Sequence, residues 1–166
     1  KIKEQVPQAT LDIYYGWGSW VSAEGEDDFY HRMCKKFEVL KDHGVTEHGR
    51  ISHEELAKVM SQTKVWAYPT EFEEIFGITA VKANAAHCTP VITDVAALKE
   101  TGGPVSKVIE TDLIYSDEYS RKKFVDAVVK ALKSDITDDD KNRQDKFVKQ
   151  FAWSTVAKKW IGVIDE

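Results

Sequence analysis

Within this 166-residue sequence, the stretch Glu74-Ile75-Phe76-Gly77-Ile78-Thr79 has the residue types and order best suited to chemistry. An acid stands three residues before a glycine, and the glycine opens into an alanine-rich segment ending near Ala86. A loop that enters a helix this way leaves the first backbone N–H groups without intrahelical acceptors, and the positive end of the helix dipole faces the same point. Phe76, Gly77, Ile78 and Thr79 are therefore expected to frame an anion site. Lys64 to Tyr68 reads as a strand stopped by Pro69-Thr70. In an open parallel sheet the site would lie at the carboxyl end of that strand, where such sheets collect ligands. A diphosphate meets both conditions, with Glu74 beside it. Locally, Glu74 also reads as an ordinary solvated loop acid.

Other reactive side chains carry less. His31, Cys34, His43, His48 and His53 do not have the spacing of a standard zinc ligand set. Cys88, beside a buried strand, is expected to be inert. Trp153 and Trp160 fall at helical spacing with Phe151, Val156 and Val163, which predicts core packing rather than stacking on a sugar.

The elements that would position the site alternate between strand-like and helix-like segments, the pattern of a parallel sheet flanked by helices. Leu11 to Tyr15 reads as a strand ending in Gly16-Trp17-Gly18. Phe29, Met33, Phe37 and Leu40 predict a helix from about Glu26 to His43, with Gly44 at its C-terminal cap. Gly44 to His48 is a short polar strand, and Ser52 with Glu55 forms a capping box for the next helix. Pro90 to Thr93 is a buried strand, after which Asp94 is expected to cap a short helix. Val105 to Ile109 is the last strand, following Gly102-Gly103-Pro104. Phe124, Val125, Val128, Val129 and Leu132 mark one helix of the tail, and Asp138-Asp139-Asp140 the solvated start of another.

Composition bounds the class. Lys and Arg number 23 against 28 Asp and Glu, a net charge of −5 with the signs interspersed, which disfavours a nucleic-acid footprint. Two cysteines cannot build a disulfide framework, and a reducing, cytoplasmic setting is expected. The longest apolar runs fall far short of the ~18 residues of a membrane span.

Val65 to Thr70, Glu74 to Thr79, Pro90 to Thr93 and Ala97 to Gly103, in that order, resemble the nucleotide-sugar-binding half of GT-B glycosyltransferases, especially the large retaining group called family 4, the group 1 glycosyltransferases. The likeness covers nearly the whole chain, and its specificity lies in the ordered combination. It implies a Rossmann-like domain that forms the C-terminal half of a GT-B fold. Glu74 matches the acid that contacts the transferred sugar, with the role of holding sugar hydroxyls and orienting the anomeric carbon. Arg50 and Ile51, in Gly49-Arg50-Ile51-Ser52, match the loop that holds the nucleotide base.

The sequence departs from that family in three ways. The position of a second, ribose-binding glutamate is Lys82, which has no acceptor, so an electrostatic role toward the donor is expected instead. His87-Cys88-Thr89 replaces the small residue before the Pro-Val-Ile strand. The family's first, central strand and helix, with their phosphate-binding Arg and Lys, have no counterpart, nor does its N-terminal acceptor domain. The chain is therefore expected to be part of a larger enzyme and, by itself, to bind a nucleoside diphosphate weakly and transfer no sugar. The gap left by the absent strand should be filled by direct pairing of its two neighbours or by strand exchange between two chains, or else mark a segment missing from the chain.

The resemblance implies transfer of a hexose from a nucleotide-diphosphate donor, most readily a UDP-sugar, to an acceptor saccharide or other hydroxyl compound, with retention and with no cofactor or metal. The alternative is a non-catalytic Rossmann-like binding domain derived from such an enzyme. A sugar-nucleotide epimerase is disfavoured, since neither Gly-x-x-Gly-x-x-Gly nor Tyr-x-x-x-Lys is found.

Overall fold

A computed structural model describes residues 1–16, 27–111 and 113–164. Trp17 and Gly18, of the expected Gly-Trp-Gly turn, lie outside the described residues. The chain divides into two compact bodies, residues 1–56 and 57–166.

In the first body, helix α1 (Ile2–Gln5) precedes strand β1 (Leu11–Ile13), which pairs in parallel with β2 (Val45–Glu47) in the register Leu11 opposite Val45. Both strands are shorter than the sequence implied. Helix α2 (Asp27–Lys41) connects them and packs on β2. The chain leaves α2 through Gly44, whose carbonyl accepts the Leu11 N–H and so starts the ladder. The apolar stripe of α2 is only partly covered: Met33 and Phe37 are half-buried, while Val39 is 70% exposed. Val6 is the one buried hydrophobic residue among the described side chains of this body. Helix α3 (His53–Met60) starts at the expected capping box: Ser52 Oγ accepts the Glu55 N–H, and Glu55 Oε2 accepts the Ser52 N–H.

The second body holds the main core. Strands β3 (Val65–Tyr68), β4 (Thr89–Thr93) and β5 (Lys107–Ile109) form a parallel sheet in that order. Pro90 to Thr93 are buried, as expected of a central strand flanked by helices. Helix α4 (Ile78–Ala85) links β3 to β4, and α5 (Leu98–Thr101) lies between β4 and β5. Ala80, Ile92 and Leu98 form a core cluster with Trp66, Tyr68 and Val108 packed against it. Helix α6 (Glu118–Lys133) packs on all three strands and buries Phe124, Val128 and Val129. Helix α7 (Asp138–Lys149) packs on α4 and opens, as expected, at the acidic run, capped by Thr137 and Asp140.

Two expectations about the elements are corrected. Asp94 does not cap α5, whose N-cap is Ala97 with no side-chain bond; Asp94 Oδ1 instead accepts the Thr111 N–H at 2.9 Å and ties the end of β4 to the loop after β5. The last helix, α8 (Trp153–Ile164), buries none of its residues, and Trp153 and Trp160 are 86% and 68% exposed, so the tryptophans are not core. Apolar spacing marks a face without saying what covers it.

Among the described residues β1 pairs only with β2 and β3 only with β4. Direct pairing of β1 with β3 and a continuous six-stranded sheet are therefore absent among the described residues.

Candidate functional site

The sheet of the second body directs the carboxyl ends of β3, β4 and β5 to one edge, and the segment Thr70 to Gly77 runs along it. This segment is anchored by a buried pair of hydrogen bonds. Thr93 Oγ1, at the end of β4, donates to the Thr70 carbonyl at 2.6 Å and accepts the Thr70 N–H at 3.2 Å. Thr70 Oγ1 then accepts the Phe72 N–H, and Glu74 is held through its backbone, its carbonyl accepting the Ala97 N–H at 3.2 Å.

Gly77 sits at φ 68°, ψ 50°, the left-handed region, and is the N-cap of α4 with no side-chain cap bond. A Cβ at this position would stand 2.9 Å from Leu98 Cδ2 and 3.3 Å from Thr101 Oγ1, so both the backbone conformation and the packing call for glycine. Ala80 N–H is taken by the Gly77 carbonyl at 2.8 Å. The amides of Ile78 and Thr79 open the helix ahead of it, on the positive end of the dipole.

Glu74 is half-buried, and its Oε1 accepts the Tyr68 hydroxyl at 2.7 Å. Burial, reinforced by this bond to Glu74, pushes the Tyr68 hydroxyl up to about 12, so it stays a donor throughout the physiological range. Phe76 packs edge-on against Phe151, 5.5 Å between centroids, while Ile75 is 97% exposed. Lys82 is half-buried in the last turn of α4.

Beside this segment is a cleft of about 490 Å³ lined by Glu73, Asp94, Val95, Ala96 and Thr111. Ala96 there has φ 48°, a conformation that alanine adopts at a cost of about 1–2 kcal/mol. A larger cleft, about 630 Å³, opens at the amino ends of β3 and β4 and is lined in part by Ser61, Lys64, His87, Asp135 and Lys141. Its charges are matched in pairs, Lys64 with Asp135 at 2.9 Å and Lys141 with the neighbouring Asp138 at 3.3 Å. The carboxyl-end site has the glycine turn, the uncapped helix start and the carboxylate together.

The structure thus brings Glu74, Phe76, Gly77, Ile78 and Thr79 into one continuous turn, with Lys82 farther along the same helix. Arg50 and Ile51 belong to the first body. Arg50 is exposed, its stem so close to Gly16 that a Cβ there would stand 3.3 Å from Arg50 Cβ. Gly49 N–H donates to Glu47 Oε1, and Ile51 is half-buried. At the ends of β1 and β2, His48 Nε2 meets Asp12 Oδ1 at 2.7 Å, and Tyr14 stacks on the His48 ring.

The departures before β4 are accommodated by polar contacts. His87, at φ 57°, meets Asp145 Oδ1 at 2.9 Å, and the carbonyl of Cys88 accepts from Gln144 Nε2. The Cys88 thiol is buried, which pushes it up to about 11, so it is held as the unreactive thiol. Sequence reasoning missed Tyr68, Asp94 and Ala96. The aromatic strand end gave no sign of a hydroxyl turned to Glu74, and alanine conceals a left-handed backbone.

Residues 1–150 match the family model described as Glycosyl transferases group 1. No curated protein matches the chain.

Proposed function

As the chain belongs to the group 1 glycosyltransferases, we propose that the turn from Glu74 to Thr79 holds the diphosphate and sugar of a nucleotide-sugar donor, with a UDP-hexose as that donor. The observation that carries this reading is the fixed Glu74 carboxylate next to a glycine-initiated, uncapped helix start at the carboxyl edge of a parallel sheet. Glu74 accepts hydrogen bonds from sugar hydroxyls and orients the anomeric carbon. The amides of Gly77, Ile78 and Thr79 receive the diphosphate.

In the proposed transfer the acceptor hydroxyl oxygen bonds to the anomeric carbon on the face the diphosphate leaves, so configuration is retained. The bond from that carbon to the phosphate oxygen breaks, the diphosphate departs with the electron pair, and the hydroxyl proton ends on it. Charge therefore grows where the helix dipole and amides are already aimed, which lowers the barrier without reorganisation of the site. Lys82, on the same helix, adds a positive charge toward the donor. The acceptor is a saccharide or another hydroxyl compound.

Calorimetry with UDP, ADP, GDP and their glucose conjugates, paired with hydrolysis and transfer assays, tests the reading. UDP-glucose is expected to bind more tightly than UDP. Glu74→Ala should remove about tenfold of UDP-glucose affinity and leave UDP unchanged, as loss of hydrogen bonds to a charged group requires. Nucleotide binding without hydrolysis or transfer by the full-length protein would favour the non-catalytic alternative, and equal loss for UDP and UDP-glucose would remove Glu74 from the sugar.

A further inference from the structure

We propose that Tyr68 is a positioning residue for sugar recognition: its hydroxyl fixes one oxygen of the Glu74 carboxylate and leaves the other to accept from the donor's hexose. The inference rests on the reading of Glu74 as the acid that contacts the sugar, and it adds a residue which that reading does not contain.

Glu74 lies in an exposed segment. Phe72 is 67% exposed and Ile75 97%, so the local packing does little to restrain a flexible glutamate side chain. An acid that must meet sugar hydroxyls in one geometry loses affinity when its rotamers are unrestrained, because ordering them costs free energy at the moment of binding. Tyr68 removes that cost in advance. It is the last residue of β3, its ring stacks on Trp66 at 5.2 Å and 23°, and it packs against the buried cluster of Ala80, Ile92 and Leu98. Its hydroxyl is therefore fixed relative to the sheet, and the 2.7 Å bond to Glu74 Oε1 is a short, charge-assisted one. A carboxylate offers about four acceptor sites, so one bond to Tyr68 leaves capacity for the sugar. Backbone anchoring of Glu74 through Ala97 N–H sets where the side chain starts; Tyr68 sets where it ends.

The test is a double-mutant cycle on the protein with Tyr68→Phe, Glu74→Ala and the double variant, since phenylalanine keeps the ring packing and removes only the hydroxyl. The probe is the tightest-bound of UDP-, ADP- and GDP-glucose, and the matching nucleoside diphosphate is the control. Tyr68→Phe is expected to weaken the sugar nucleotide about fivefold, leave the diphosphate unchanged, and have no further effect in the Glu74→Ala background. A merely structural tyrosine would move both ligands together, or lose as much with Glu74 absent, and either result overturns the inference. A silent Tyr68→Phe beside a costly Glu74→Ala overturns the inference and leaves the reading of Glu74 standing. A silent Glu74→Ala, or a sugar nucleotide bound no better than its diphosphate, overturns both.

Discussion

Gly77 and Lys82 define the two ends of what single residues contribute to α4. The left-handed backbone and the 2.9 Å approach to Leu98 make Gly77→Ala costly twice over, once through the conformation and once through overpacking. Urea unfolding should show a loss of about 2–4 kcal/mol. In the proposed donor site the part given to Lys82 is its charge. Over about 7 Å at an effective dielectric near 20, one charge pair amounts to roughly 2 kcal/mol before screening and about half that in salt. Lys82→Ala should therefore weaken UDP binding about fivefold, and the difference should shrink as salt is raised. Dissociation constants for both proteins at low and high salt measure it; identical values in both conditions would assign Lys82 to the solvated face of α4.

At the scale of elements, stability in acid depends on helix starts. Hydrogen bonds from Ser52 hold the Glu55 carboxyl below the usual carboxylate range at the start of α3, those from Ser120 do so for Asp117 at α6, and those from Thr137 for Asp140 at α7. Each folded value lies below the unfolded one, so the ionised caps stabilise the fold above the unfolded values, and that contribution is lost as pH falls through the folded ones. The urea midpoint should thus fall through the acid limb, and the fall should be shallower in Asp117→Asn, where one such carboxyl is gone. Pattern alone located these starts for α3 and α7 because caps are local: Ser52 with Glu55, and the acids at Asp138 to Asp140. The β4 strand was legible too, since Pro90-Val91-Ile92-Thr93 is apolar enough only for a buried strand. Partners distant in sequence were not. Asp94 precedes a helix and looks like its cap, yet Thr111 takes its carboxylate from 17 residues away. The Tyr68–Glu74 bond depends on how Pro69 to Glu73 turns, which no residue type dictates. The α8 stripe was visible, but its exposure was not.

For the whole molecule, the two bodies are built unequally. The second has a three-stranded sheet covered by α6 and by α4 with α7, and a buried polar link in which Asn84 Nδ2 donates to the carbonyls of Ala80 and Gly102 while Gln144 reaches Asn84 Oδ1. That link holds α4, and with it the turn through Gly77, against its neighbours. Among its described residues the first body has two three-residue strands and little buried apolar surface, and a sheet that small is marginal by itself. No helix among the described residues is long and apolar enough to cross a membrane. The unit with the larger buried core is thus the one that carries Glu74 and Gly77.

The most direct test of the donor turn is a residue-resolved NMR titration of the protein with UDP. The backbone amides of Gly77, Ile78 and Thr79 should shift together and saturate with one dissociation constant, as expected when a diphosphate settles on the start of α4. Unmoved amides at these three positions, with shifts instead around Ser61, Lys64 and His87 at the opposite end of the sheet or with no shift anywhere, would contradict it.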